Sequence, residues 1–176
     1  ILKDGAAAPI DEAIEILAGV LSALEYSHAA GLVHRDIKPH NLMVTADDTV
    51  KVLDFGLAKP RTAVDDARQS VQTQAGEFIG TLAYAAPEQV SGDPHAVDVR
   101  SDVYSLGVIL FEMLTGKQSF VGETASDTLA GILKTDPDWD LLPDNLPHQV
   151  ERVIRRCLIR KRTSHVQLVI SDTGTA

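Results

Sequence analysis

The chain has 176 residues, 44% of them apolar and 23% charged, with a formal net charge of −9. That size suits one domain with a sizeable core, the composition is that of a globular and not a disordered protein, and the acidic balance argues against nucleic acid as a partner. The longest strongly apolar stretch, residues 106–114, is broken by Gly107 and Glu112 and is too short to span a bilayer.

No charged-then-apolar leader opens the sequence. A lone cysteine, Cys157, suits a reducing compartment, so the expected location is cytoplasmic, with any membrane anchor lying outside this segment.

In chain order, Ile10, Ile14, Leu17, Leu21 and Leu24 recur at helical spacing between Asp11, Glu12, Glu15 and Glu25, which predicts a long amphipathic helix ended near Gly31. Residues 42–44 and 50–53 are short β-type runs split by a polar turn and predict a small hairpin. Residues 59–80 are polar and aperiodic, the mark of a long functional loop. Residues 103–116 predict a helix buried all round and ended by Gly116. Two further helices are expected over 127–134 and 147–158, joined by a segment rich in Pro, Asp and Trp.

The chemistry concentrates where the first helix delivers the chain to the hairpin. His34-Arg35-Asp36-Ile37-Lys38-Pro39-His40-Asn41 enters it, and Asp54-Phe55-Gly56 leaves it. An isolated Asp in a loop usually shapes a turn, and an isolated Lys is usually solvated. Together, an aspartate that accepts a proton, a lysine that screens phosphate charge, and an amide and a second carboxylate that offer oxygens to Mg²⁺ meet the needs of phosphoryl transfer. A hairpin holds its two ends side by side, so Asn41 and Asp54 are placed to share one ion although thirteen residues apart. His28, His34 and His40 lack the spacing of a zinc site.

The order H-R-D-x-x-x-x-N followed by D-F-G resembles the catalytic and metal loops of eukaryotic-type protein kinases. Gly80-Thr81-Leu82-Ala83-Tyr84-Ala85-Ala86-Pro87-Glu88 is similar to the segment that closes their activation loop and forms the shelf for the residue beside the phosphoacceptor. The resemblance implies an α+β, mainly α fold: the helical C-terminal lobe of a kinase with its small catalytic-loop hairpin. It implies ATP and Mg²⁺ as cofactors, and proteins bearing Ser or Thr as substrates.

Residue by residue, it assigns catalytic roles to Asp36, Lys38, Asn41 and Thr81. It gives nucleotide contacts to Lys38, Asn41, Met43 and Asp54, and the metal to Asn41 and Asp54. Lys38 and Thr81, the latter bridging Asp36 and Lys38, are serine/threonine-kinase traits. Asp102 is implied to accept backbone N–H bonds from the catalytic loop; a plain helix cap at Ser101 or Asp102 is the simpler alternative and is compatible with that role, both being those of a hydrogen-bond acceptor. Arg35 is implied to gather a phosphate carried by the activation loop, with Ser70, Thr73 and Thr62 as candidate acceptors. Glu88 is expected to pair with an arginine near the domain end, with Arg160 or Arg162 in that role.

The resemblance runs over residues 10–158. No G-x-G-x-x-G loop and no V-A-I-K lysine occurs in these 176 residues, so the expected organisation is a large lobe over 1–158 without its small β-rich lobe, followed by a divergent tail over 159–176. The expected function is that of a bacterial-type serine/threonine protein kinase, the isolated chain being nearly inactive. Two rivals are a truncated or pseudokinase-like binding module and a small-molecule phosphotransferase.

Overall fold

A computed structural model describes residues 5–55, 80–92 and 95–159. The expected activation loop with its candidate phosphoacceptors, Gly56, Arg160, Arg162 and most of the tail lie outside these residues.

Helix α1 (Ile10–Ala29) carries Asp11 and Glu12 in its first turn, where the helix dipole favours carboxylates. Its most buried residues are Ala13, Ile16, Val20, Leu24 and Ser27. Of the expected apolar stripe, Leu24 lies in the core, while Ile10, Leu17 and Leu21 pack against its edge and Ile14 is only half-buried. The rotation follows from α1 touching two partners at once, the central helix and the second hairpin strand. Small residues supply the close approach: a Cβ on Gly19 would lie 2.7 Å from Val50 Cγ2.

Strands β1 (Leu42–Val44) and β2 (Val50–Val52) pair antiparallel, with Leu42 opposite Val52 and Val44 opposite Val50. The predicted second strand ends one residue early, yet the pairing continues beyond it through Leu53 N–H to Asn41 C=O at 2.8 Å. In the turn, the Asp47 carboxylate accepts hydrogen bonds from the Thr45 and Thr49 hydroxyls.

The short helix α2 (Pro87–Val90) leads toward α3 (Val99–Thr115), the centre of the molecule. The predicted start of α3 was four residues late. The true N-cap is Asp98, whose side chain accepts from Arg100 N–H at 2.9 Å, so Ser101 and Asp102 lie inside the first turn and not at the cap. Residues 104–111 of α3 are buried without interruption, as the all-apolar pattern demands. Gly116 ends α3 with φ 68°, a left-handed turn that favours glycine.

Helix α4 (Ala125–Lys134) starts two residues ahead of its predicted position because Thr124 and Asp127 cap it reciprocally. Helix α5 (His148–Cys157) packs on α3. Trp139, from the joining segment, meets Phe111 edge-on at 6.0 Å and carries the Arg155 guanidinium 4.4 Å above its ring.

The α3–α5 seam depends on one missing methyl. A Cβ on Gly107 would stand 2.5 Å from the Cβ of Cys157 and 3.2 Å from Leu158 Cδ2. Because the first contact is a Cβ, no rotamer change relieves it, and the helices must separate. Gly107→Ala is expected to lower stability by about 1–3 kcal/mol, read as a reduced urea midpoint at unchanged slope. Among the described residues, no helix is long and apolar enough to cross a membrane.

Candidate active site

The loop between α1 and β1 is shaped by a buried carboxylate from another element. Asp102, in the first turn of α3 and 1% exposed, accepts His34 N–H at 2.8 Å and Arg35 N–H at 2.7 Å. Its Oδ2 also accepts the His28 ring Nε2 at 2.8 Å. The support expected of Asp102 is therefore present, and the helix-cap alternative is not. Arg35 is held at φ 68°, a region non-glycine residues seldom occupy and which surrounding contacts must impose.

His34 is buried and joins both ends of the hairpin. Its Nε2 donates to Leu53 C=O at 2.8 Å and its Nδ1 accepts Asp36 N–H at 3.3 Å. Those two partners select the neutral tautomer protonated on Nε2. The ring packs edge-on against Phe55 at 4.8 Å. His28 and His34 thus serve as hydrogen-bonding struts, and both rings are occupied by protein partners.

On this frame, Asp36, Lys38 and Asn41 come into direct contact. Lys38 Nζ stands 2.9 Å from Asp36 Oδ2, with the two side chains 21% and 48% exposed. Asn41 is 6% exposed, and its Nδ2 donates to Asp36 C=O at 2.7 Å and to Asp36 Oδ2 at 3.1 Å. Both amide hydrogens are thereby used on Asp36, which leaves Asn41 Oδ1 as the atom of that side chain able to face a cation. Both of these contacts to the Asp36 carboxylate fall on Oδ2 and neither on Oδ1.

Asp54 follows Leu53, the residue bonded to Asn41, and is exposed with φ 58°. Met43 is 42% exposed on β1. Thr81 is half-buried in a helical turn at the start of the shelf segment. Among the described residues, no side-chain hydrogen bond ties Asp54, Met43 or Thr81 to the trio, and the Lys38–Asp36 contact is direct.

The shelf segment is tied to the helices beneath it. Tyr84 Oη donates to Glu112 Oε2 at 2.6 Å and accepts from Gln118 Nε2 at 2.9 Å. Burial, then the Glu112 carboxylate, pushes the Tyr84 phenol well above its ordinary value, and burial likewise raises the Glu112 carboxyl. Glu88 Oε1 accepts the Ser101 hydroxyl at 2.5 Å. Gln89 accepts Ala86 N–H at 2.9 Å and donates from Nε2 to Arg35 C=O at 2.6 Å.

Sequence reasoning missed Tyr84–Glu112, His28 and Gln89. For Gln89 a signal existed, since Gln at the third position of a helix opening after Ala86-Pro87 is a capping residue. Its second bond, to Arg35, has none.

A family model described as protein kinase domain matches residues 1–169. Serine/threonine-protein kinase PknB of Mycobacterium leprae is 46% identical over 129 residues, covering 73% of this chain and 20% of the relative. PknB of Mycobacterium tuberculosis is 44% identical over 137 residues, covering 78% and 20%. A probable serine/threonine-protein kinase of Clostridium acetobutylicum is 36% identical over 168 residues, covering 95% and 24%. The chain thus spans about a fifth to a quarter of the length of these relatives. A match over nearly all of its residues joins a catalytic-type loop seated on a buried aspartate, and on both grounds the chain belongs to the protein kinase domain family, in its bacterial eukaryotic-type branch.

Proposed function

We propose that this chain carries the catalytic-loop lobe of a serine/threonine protein kinase, over residues 1–158, that transfers the γ-phosphoryl group of ATP to Ser or Thr hydroxyls of proteins. The observation that carries the reading is the Asp36–Lys38–Asn41 contact set held on Asp102. Asp36 Oδ1 orients the substrate hydroxyl and takes its proton. The Lys38 ammonium, already against Asp36, offsets charge building on the transferring group.

The donor set fits Mg²⁺, a hard cation that takes few protein oxygens beside phosphate and water. Asn41, with its amide hydrogens committed to Asp36, would offer Oδ1, and Asp54 its carboxylate. When bound, the ion neutralises phosphate charge. Met43 contributes apolar surface to the nucleotide side, and Thr81 opens the shelf for the residue beside the phosphoacceptor. The names of the relatives and Lys38 favour Ser and Thr over a small alcohol as the acceptor.

The test is phosphotransfer from labelled ATP by the full-length protein to Ser-, Thr- and Tyr-containing peptides. Labelling of the first two alone supports the reading. Binding of ATP with no transfer to any peptide or protein would replace it with a binding module, and transfer to small alcohols only with a small-molecule phosphotransferase.

A further inference from the structure

We infer that Gln89 is a positioning residue for the catalytic aspartate, coupling the substrate shelf to the peptide bond that aims Asp36. The inference rests on the protein-kinase reading above for its consequence in catalysis, and on geometry alone for the coupling.

Two successive peptide units lead into Asp36, and each is held from a different helix. The first, between His34 and Arg35, has its N–H fixed by Asp102 of α3 at 2.7 Å. The second, between Arg35 and Asp36, has its N–H on His34 Nδ1 at 3.3 Å, the weak end of the hydrogen-bond range. Its carbonyl, by contrast, accepts from Gln89 Nε2 at 2.6 Å. The plane of this second unit sets φ of Asp36, and hence the direction in which the carboxylate leaves the backbone. Gln89 is the closer of the two partners that hold it.

The same carboxamide reaches the other way. Gln89 Oε1 accepts the N–H of Ala86, the residue that precedes Pro87 at the shelf's end. One neighbour is a donor and the other an acceptor, so the amide has a single orientation that satisfies both. A carboxylate would keep the bond to Ala86 and set an oxygen against Arg35 C=O. A methionine of similar length would lose both. The two substitutions therefore separate a cap for α2 from a clamp on the catalytic loop.

The experiment uses the full-length protein with Gln89→Glu and Gln89→Met. Its readouts are kcat, KM for ATP, thermal midpoint, and hydrogen exchange of the amides of residues 34–37. A clamp requires both variants to lose about tenfold in kcat, the worth of one strong hydrogen bond. KM for ATP stays within about twofold, and exchange at 34–37 accelerates about tenfold on the same ground. If Gln89→Glu keeps the kcat and exchange of the unsubstituted protein while Gln89→Met alone loses stability, Gln89 is only a helix cap and the inference is overturned. If the unsubstituted protein transfers no phosphate, the kinase reading fails, and exchange at 34–37 decides the coupling by itself. Acceleration in both variants then upholds it, and unchanged exchange removes it.

Discussion

Asp102→Ala is expected to remove about 3–5 kcal/mol of folding stability, the largest loss of any single substitution considered, at a residue that need not touch substrate. Three donors converge on this carboxylate: the backbone N–H groups of His34 and Arg35 and the ring of His28. Truncation leaves one buried and two part-buried donors without their acceptor, at up to about 1–3 kcal/mol each. Asparagine is no remedy, since its amide nitrogen would face a donor. Chemical denaturation checks the figure, with Asp98→Ala as the comparison. That residue caps the same helix from four positions earlier, and its loss is expected to cost only about 1 kcal/mol. Equal losses for the two variants would show that Asp102 serves the helix and not the loop.

The second large effect is on rate. Asp36→Asn is expected to lower kcat of the full-length protein by about 10²–10⁴-fold, with little change in unfolding midpoint because the side chain is half exposed. The shape of the site survives, as an amide still presents an oxygen to Lys38 and Asn41. What disappears is the basic oxygen and the negative charge that holds the Lys38 ammonium. A KM for ATP within a few-fold of the unsubstituted value would place the defect in the chemical step. Retention of a tenth or more of kcat would remove Asp36 from the role of base.

These two expectations differ in how far the residues alone announced them. Asp36, Lys38 and Asn41 lie within six positions, so their contact was legible in the spacing of a short loop. The hairpin was legible as well, because β-type runs flanking a polar turn leave few alternatives, and Leu53 N–H to Asn41 C=O completes it. Asp102 was placed through family likeness, since no local pattern links residue 102 to residue 34. Local rules pointed there to a helix cap, and the cap fell at Asp98.

The stripe of α1 was right at Leu24 and misjudged over its other residues for a related reason. Periodicity reports which residues are apolar, but the buried face is chosen by what packs against it, and here the small residues Ala13 and Gly19 lie toward the partners. The pairing of Tyr84 with Glu112 joins a polar position of the shelf to a charged residue in the most apolar helix. In the sequence, Glu112 reads only as an interruption of that helix.

The bonds from Asp102 to the loop close over 67 and 68 residues of chain, and the one to His28 over 74. Contacts of such separation cannot form until the intervening chain has been gathered, which makes them slow steps in folding. The left-handed turn at Arg35 therefore acquires its shape only once α3 has docked, although α1 and the hairpin can form from nearby residues. Phosphotransfer by the full-length protein, on the proposed function, should thus be the last property recovered on refolding. It should also be the first lost when the first turn of α3 frays, before the rest of the helix opens.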